Sequence, residues 1–182
     1  EVGGDVVMQS SGVLNTEDLV SVNATGWGSA GTENNAAPQS DIMGDTTLGS
    51  LDTAYAFNAG TDLSPWIGNM FTASNFSWTS TGTTPFATYY LNDTTQLRTP
   101  GIAIRASDLV GNLWTPDVSW SQVGTFASLG LTQGTYTITD AVTKEFITIQ
   151  IGAVSAVPEP GCLALFGIGL VGFIAARNRR ES

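Results

Sequence analysis

The chain from residue 134 to 153 reads GTYTITDAVTKEFITIQIGA. Tyr136 and Ile138 fall on one side of an extended chain, and Thr135, Thr137 and Thr139 on the other. Beyond the connection DAVTK, Ile147, Ile149 and Ile151 alternate with Thr148 and Gln150. A period of two in both arms fits strands that bury one face and wet the other, and it fits no helix. The segment predicts an antiparallel hairpin with an isoleucine face and a hydroxyl face. A hairpin of this kind needs a partner layer to cover its apolar side.

Short runs of the same character recur upstream: LGSLDTAYAF, NFSWTS, FATYYLN, GIAIRA and VSWSQV. NAGTDLSP, TGTTP, DTTQLRTP and WTPD separate them, and these Gly, Pro, Asn and Asp clusters are turn signals. Strands at roughly ten-residue spacing predict an all-β antiparallel sandwich for residues 1–151. Residues 1–47 are broken by GG, SSG, GWGSAG and NNAAP and read as irregular. Within them DLVSVNA reads as a short strand, and NTEDL as a single helical turn capped by Asn15 or Thr16. The start, EVGGDVVMQSSG, carries neither a basic nor a long apolar stretch, which is the expectation for a chain given without its export signal.

Charge and composition narrow the chemistry. Charged residues make up only 12% of the 182, so solubility rests on Ser, Thr, Asn and Gly. Residues 1–160 hold 15 acids against 3 bases, a net charge of -12. Such a surface repels nucleic acid and anionic lipid, so no nucleic-acid partner is expected. Histidine is absent, which removes imidazole-based triads and histidine-ligated metals. Cys162 is the single cysteine, so no disulfide or cysteine zinc site forms within one chain. No cofactor is expected.

Four features of the body are candidate sites. The five tryptophans Trp27, Trp66, Trp78, Trp114 and Trp120, with Tyr55, Tyr89 and Tyr90, are candidate stacking platforms for sugar rings. Packing in a β core uses the same residues, however, and Trp27 in ATGWGSAG is the one expected to be exposed. Asp41, Asp45 and Asp52 supply oxygen ligands of the kind calcium takes, but their spacing matches no calcium loop and reads better as solvated turns. A carboxylate-based hydrolase needs two acids at a set separation, and nothing singles out two of the fifteen. Asn23, Asn75 and Asn92 open N-x-S/T triplets of a kind that a Ser/Thr-rich chain forms by chance. The body is expected to be non-enzymatic.

The end of the chain departs from all of this. Residues 152–160 form a linker in which Pro158 and Pro160 hold Glu159 extended and exposed. Residues 161–176 are uncharged and mostly apolar, and Arg177, Arg179 and Arg180 follow within 177–182. As a helix at about 1.5 Å per residue the run is roughly 24 Å long, short of a hydrocarbon core of about 30 Å. It predicts a single, marginal transmembrane helix. The arginines would stop on the cytoplasmic side and leave the acidic body outside. A permanent anchor and a temporary handle are both compatible with the run alone.

Val157-Pro158-Glu159-Pro160, the Gly- and Leu-rich span and the terminal arginine cluster together resemble the sorting signal of PEP-CTERM proteins. The resemblance extends upstream, since GTY and F-x-x-x-I strands before the motif are similar to the ending of many small proteins of that type. Where those place WTWG-like aromatics after GTY, this chain has Thr137-Ile138-Thr139-Asp140. The resemblance implies an exported bacterial protein held in the inner membrane as a precursor and processed by exosortase, a multipass membrane transpeptidase. It implies delivery to the cell surface or the extracellular matrix, with exopolysaccharide and biofilm as the expected surroundings. Glu159 and its prolines would then be the recognition motif, and the arginines would orient the precursor.

Overall fold

The computed structural model describes residues 1, 3–22, 30–34, 42–45, 49–66, 70–92 and 97–152, with the backbone alone at 42, 89–92 and 97–100. Glu1–Gly152 forms one compact unit. Its strands are β1 (Asp5–Gln9), β2 (Leu14–Asn15), β3 (Val20–Val22), β4 (Ala30–Glu33), β5 (Ile42–Asp45), β6 (Thr53–Ala56) and β7 (Thr79–Thr84). They continue with β8 (Ala87–Asn92), β9 (Leu97–Ile104), β10 (Leu109–Val110), β11 (Leu113–Trp114), β12 (Asp117–Val123), β13 (Gly134–Thr139) and β14 (Phe146–Ile151). Single 3₁₀ turns occur at Ser64–Trp66 and Ala106–Asp108. The fold is all-β, as the alternation and turn spacing predict.

Pairing is antiparallel throughout and gives four sheets: β1-β12-β7, β10-β11-β2, β13-β14 and β3-β6-β9-β8-β5-β4. In the first sheet β12 is central, with Met8 and Ser80 on either side of Trp120. Val118 and Trp120 are buried while Ser119 and Ser121 are only half-buried, which is the two-residue period of a strand covered on one face. The register of β12 on β7 shifts between Asp117 and Val118, opposite Gly82. Gly82 has a φ of +130°, and a Cβ there would overlap the Asp117 carbonyl oxygen. Only glycine combines that backbone angle with that approach.

The segment leading into β7 serves two sheets. Asn75 exchanges backbone hydrogen bonds with Thr32 on β4, both 2.8 Å, and Trp78 N–H donates to the Ala30 carbonyl at 3.4 Å. One residue later the chain enters β7 and pairs with β12. In the six-stranded sheet, β9 is buried on both faces over residues 101–104, while β6 alternates buried Ala54 and Ala56 with half-buried Thr53 and Tyr55. Ile102 and Ile104 join the main core, whereas Ala54, Ala56 and Ala103 pack with Val20, Val22 and Leu51. Small residues suit this second face, because Gly101 lies against the Tyr55 carbonyl with no room for a Cβ.

All four sheets contribute to one hydrophobic core. Val6, Val118 and Trp120 come from the first, Leu14 and Trp114 from the second, Ile138 from the hairpin, and Met43, Ile102 and Ile104 from the six-stranded sheet. Phe86 packs edge-on to Trp114, with ring centroids 5.2 Å apart, and stacks on Trp120 at 5.4 Å. The hairpin lies where its alternation places it. Ile138 is fully buried, Ile147, Ile149 and Ile151 pack against the core, and the Thr137 and Thr148 hydroxyls meet across the outer face at 2.8 Å.

Asp140 closes the turn of that hairpin and is fully buried. Its Oδ1 accepts from the N–H groups of Val142 (2.9 Å) and Thr143 (2.7 Å) and from the Thr143 hydroxyl (3.0 Å). Its Oδ2 accepts from Asn58 N–H at 2.5 Å, and the Asn58 amide reaches both oxygens at 3.1 and 3.2 Å. Thr61 Oγ1 accepts from Ala141 N–H at 3.0 Å and donates to the Asn58 carbonyl at 2.8 Å, so two distant turns are clamped together. Burial by itself would raise the carboxyl's pKa. The hydrogen bonds from Asn58, Thr143 and Val142 outweigh it and hold the group down at about 2.

Several sequence expectations need correction. Among the described residues of 1–47, read as irregular from the sequence, five strands form, β1 to β5. NTEDL closes a single hydrogen-bonded turn and no longer helix: Leu19 N–H donates to the Thr16 carbonyl at 3.2 Å, and Asn15 Oδ1 accepts from Glu17 N–H at 3.0 Å. TGTT, taken as a separator, makes up four of the six residues of β7, and Leu97–Pro100, also taken as a separator, opens β9. The expected span at 161–176 lies outside the described residues. Among those described, no helix is long and apolar enough to cross a membrane.

Two stability predictions follow from these contacts. Gly82→Ala should cost on the order of 2 kcal/mol or more, through strain at a positive φ together with the clash at Asp117. A urea unfolding midpoint within error of the parent would contradict that origin for the bulge. For Asp140, the folded-state pKa lies below the unfolded value of about 3.9. The carboxylate therefore stabilises the fold above pH ~4, and that stabilisation is lost as the pH falls toward 2. Asp140→Asn should lower stability at pH 7 by about 2 kcal/mol or more and should flatten the fall between pH 4 and 2. Parallel acid-unfolding curves for parent and variant would show that another group governs this range.

Candidate functional site

The sequence pointed to two kinds of site, a sorting segment and a set of body side chains. The body side chains are fixed by the core. Trp66 ends the 3₁₀ turn of Ser64–Trp66 and is 0% exposed. Its Nε1 donates to the Tyr136 carbonyl at 3.2 Å, and Phe57 meets its ring edge-on at 6.3 Å. Trp78 is 8% exposed and belongs to the main core, with Trp114 and Trp120. Neither Trp66 nor Trp78 turns a ring face to solvent, so neither provides a stacking platform for a sugar. Core packing takes both, because an all-β body with few charges needs large apolar volumes inside. Trp27 lies outside the described residues, as do the side chains of Tyr89 and Tyr90. Tyr55 is half-buried and packs against the core.

Several of the described acidic side chains hold turns and strands in place. Asp52 Oδ1 accepts from Ala106 N–H at 2.7 Å, and Asp117 Oδ2 accepts from the Thr83 hydroxyl at 2.7 Å. Asp108 pairs with Arg105 at 2.9 Å, and Arg105 also donates to the Thr83 carbonyl. Glu145 Oε2 accepts from Asn15 N–H at 3.1 Å. Asp45 is a fully buried strand residue of β5 and not the solvated turn aspartate expected, while Asp41 lies outside the described residues. Among the described residues, no three His, Cys, Asp or Glu side chains gather in a way that could hold a metal ion. Of the three N-x-S/T asparagines, Asn75 has its Oδ1 accepting from Ser77 N–H at 3.2 Å and its backbone paired with Thr32. Asn23 and the Asn92 side chain lie outside the description.

Sequence reasoning passed over Asp140, the most heavily hydrogen-bonded carboxylate of the body. Its signal is local: Asp140-Ala141-Val142-Thr143 is an Asp followed three residues later by Thr, in a segment between two strands. That pattern suits a side chain that caps the N–H groups of the next turn. Its partner Asn58 lies 82 residues away, and no local pattern announces it.

The hairpin delivers the chain to the second kind of site. β14 ends at Ile151, and Gly152 follows with a φ of +118° and its α-carbon beside the Gln133 side chain. The clamp at Asp140 and the Trp66–Tyr136 bond hold this hairpin to the core, so the chain leaves the body from a fixed strand. Val157, Pro158, Glu159, Pro160, Arg177, Arg179 and Arg180 all come after that point and lie outside the described residues.

Comparison with known proteins bears on this end of the chain. A family model for the PEP-CTERM protein-sorting motif matches residues 156–180. No curated protein and no solved structure matches the chain. All seven sorting residues named from the sequence fall inside the matched stretch. The motif is a signal for export and for handling by exosortase, and it marks a membrane-held precursor bound for the cell surface. The chain therefore carries a PEP-CTERM protein-sorting motif at residues 156–180.

Proposed function

We propose that this is a non-catalytic structural protein of the cell surface or extracellular matrix, whose β body is cargo for the sorting signal. The observation that carries the reading is the matched motif at 156–180, which begins within a few residues of the end of the compact unit at Gly152. Residues 1–151 are the delivered part, an antiparallel sandwich, and 152–160 present the Pro-Glu-Pro motif. Residues 161–176 hold the precursor in the inner membrane as a helix, and Arg177, Arg179 and Arg180 keep the end cytoplasmic. Exosortase recognises Glu159 and its prolines and separates the body from the span.

The body's chemistry supports a structural role. Trp66 and Trp78 are spent on the core, and Asp52, Asp108, Asp117, Asp140 and Glu145 are spent on holding turns and strands. That argues against the aromatic carbohydrate-binding module and removes five of the carboxylates a hydrolase would draw on. The remaining surface is acidic and hydroxyl-rich, which suits a highly hydrated matrix. Exopolysaccharide is the proposed surroundings of the mature body.

Intact masses of the membrane-held and surface or released forms test the sorting step. The mature form should lack the apolar span and the arginines, and a chain with Pro158, Glu159 and Pro160 all changed to Ala should stay at full mass in the membrane fraction. A mature form that retains Arg177 to Arg180 would mean a permanent anchor. Normal processing of the triple variant would remove the motif from recognition.

A further inference from the structure

The fold leaves one long strand edge without the devices that keep sheet edges apart. An edge strand offers a row of backbone N–H and C=O groups to any other strand, and folded proteins blunt it with short length, charge, proline, a bulge or a cover. Among the described residues the other edges are treated in these ways. β2, β3 and β10 are two or three residues long. β1 starts on Asp5, and β4 is covered by the bridge from Thr32 to Asn75. β7 is bulged at its pairing with Asp117 and Val118, and Arg105 donates to its Thr83 carbonyl. β13 has the turn at Ser64–Trp66 packed against it. β14 has none of these. Phe146–Ile151 is six residues without charge, glycine or proline, its register on β13 is unbroken, and among the described residues β13 is its one strand partner.

The hairpin's hydrogen bonds fix which groups this edge presents. Asp140 N–H donates to the Glu145 carbonyl at 2.8 Å, which makes theirs the first bonded pair after the turn. Bonded and non-bonded pairs alternate along an antiparallel ladder. Ile147, Ile149 and Ile151 therefore bond across to β13, while Phe146 and Thr148 turn their backbone groups to the open edge. The 2.8 Å contact between the Thr137 and Thr148 hydroxyls agrees, because side chains come closest in non-bonded pairs. The side chains on the core side are incompletely covered. Ile138 on β13 is fully buried, whereas Ile147, Ile149 and Ile151 are only half-buried.

We propose that the β14 edge is a self-association surface, on which β14 of a second copy pairs antiparallel about a twofold axis at Ile149. The occupant is a second copy because the strand is complementary to itself. An axis at Ile149 sets Ile149 beside its own counterpart and Ile147 opposite Ile151, so the isoleucines of both copies share one face and cover one another. The register also keeps the ladder's parity, with Thr148 in a bonded pair and Ile149 in a non-bonded one. Residues 1–160 carry a net charge of -12, so two copies repel over most of their surface, and β14 is an uncharged stretch where they do not. Lys144 and Glu145 fall outside the paired stretch of 146–152. At about 3.3 Å per residue the two copies' Gly152 residues stand roughly 20 Å apart. Residues 153–160 add a reach of up to about 26 Å to each chain, enough for both apolar runs to enter one bilayer. That last point rests on the proposed membrane-held precursor; the pairing itself does not.

The test uses the full chain in detergent with Cys162→Ser as background, so that each added thiol is single. In Ile149→Cys, mild oxidation should give a disulfide-linked dimer, because a non-bonded pair astride the axis lies within disulfide reach. Val123→Cys, exposed on the β1-β12-β7 sheet, should stay unlinked. Sedimentation should give a dimer for the background chain and a monomer for Thr148→Pro, which removes an N–H turned to the open edge and leaves the bonds to β13 in place. A monomeric background chain would overturn the proposal, and slow exchange of its Thr148 amide would assign the edge to another segment of the same chain. A dimer that survives Thr148→Pro, or that links at Val123→Cys as readily as at Ile149→Cys, would also overturn it and move association to the apolar run or another face. Where one variant fails to fold, the other decides. Neither readout requires processing of the tail, so this pairing and the sorting reading fail separately.

Discussion

Phe86 sits between Trp114 and Trp120, and through that contact three sheets meet. Trp120 belongs to the central strand of the β1-β12-β7 sheet, Trp114 to the small β10-β11-β2 sheet, and Phe86 leads directly into β8 of the six-stranded sheet. Each small sheet is too narrow to bury its own apolar face, so each depends on the aromatic layer between them. The large rings supply apolar area that short side chains such as Ala54, Ala56 and Ala103 do not. With only 12% charged residues, the chain has few ion pairs to specify its fold. Specificity falls instead to ring packing and to side-chain hydrogen bonds at turns.

Asp140 is the strongest case of the second kind. A buried charge is costly unless it is fully hydrogen-bonded, and here five groups from Asn58, Val142 and Thr143 surround it. That arrangement fixes the last hairpin against a turn formed 82 residues earlier. The placement has a consequence for the signal downstream. A motif joined to a frayed strand would let the membrane-held end pull the body open, whereas β14 is held at its turn by Asp140 and through its partner strand by the Trp66–Tyr136 bond.

The parts of the fold legible in the sequence are those where one face is apolar and the other polar. β13, β14 and β12 alternate cleanly, and the structure places their faces accordingly. β7 was hidden because Thr79–Thr84 is TSTGTT, polar on both faces, and it is held by its register with β12 rather than by burial. The start of β9 was hidden because Pro100 reads as a breaker, though proline is tolerated where a strand's ladder is irregular, and the β8–β9 register shifts between Tyr90 and Asn92. β1 was hidden for a different reason. DVVMQ is short and flanked by glycines, and its partner β12 begins more than a hundred residues later. Asp45 was misplaced because nothing local distinguishes an aspartate in a turn from one buried in a strand.

The contrast between body and tail is physical. In the proposed reading each residue of the tail acts through its own chemistry: proline by stiffness, glutamate by charge, an apolar run by partition into lipid, and arginine by its preference for the cytoplasmic face. Those properties are local and can be read in order. The role of a body side chain depends on what surrounds it. Trp66 and Trp78 have the composition of a sugar platform and the environment of a core. Function in the tail is therefore carried by composition in sequence order, while function in the body is carried by burial and pairing that arise only when distant strands meet.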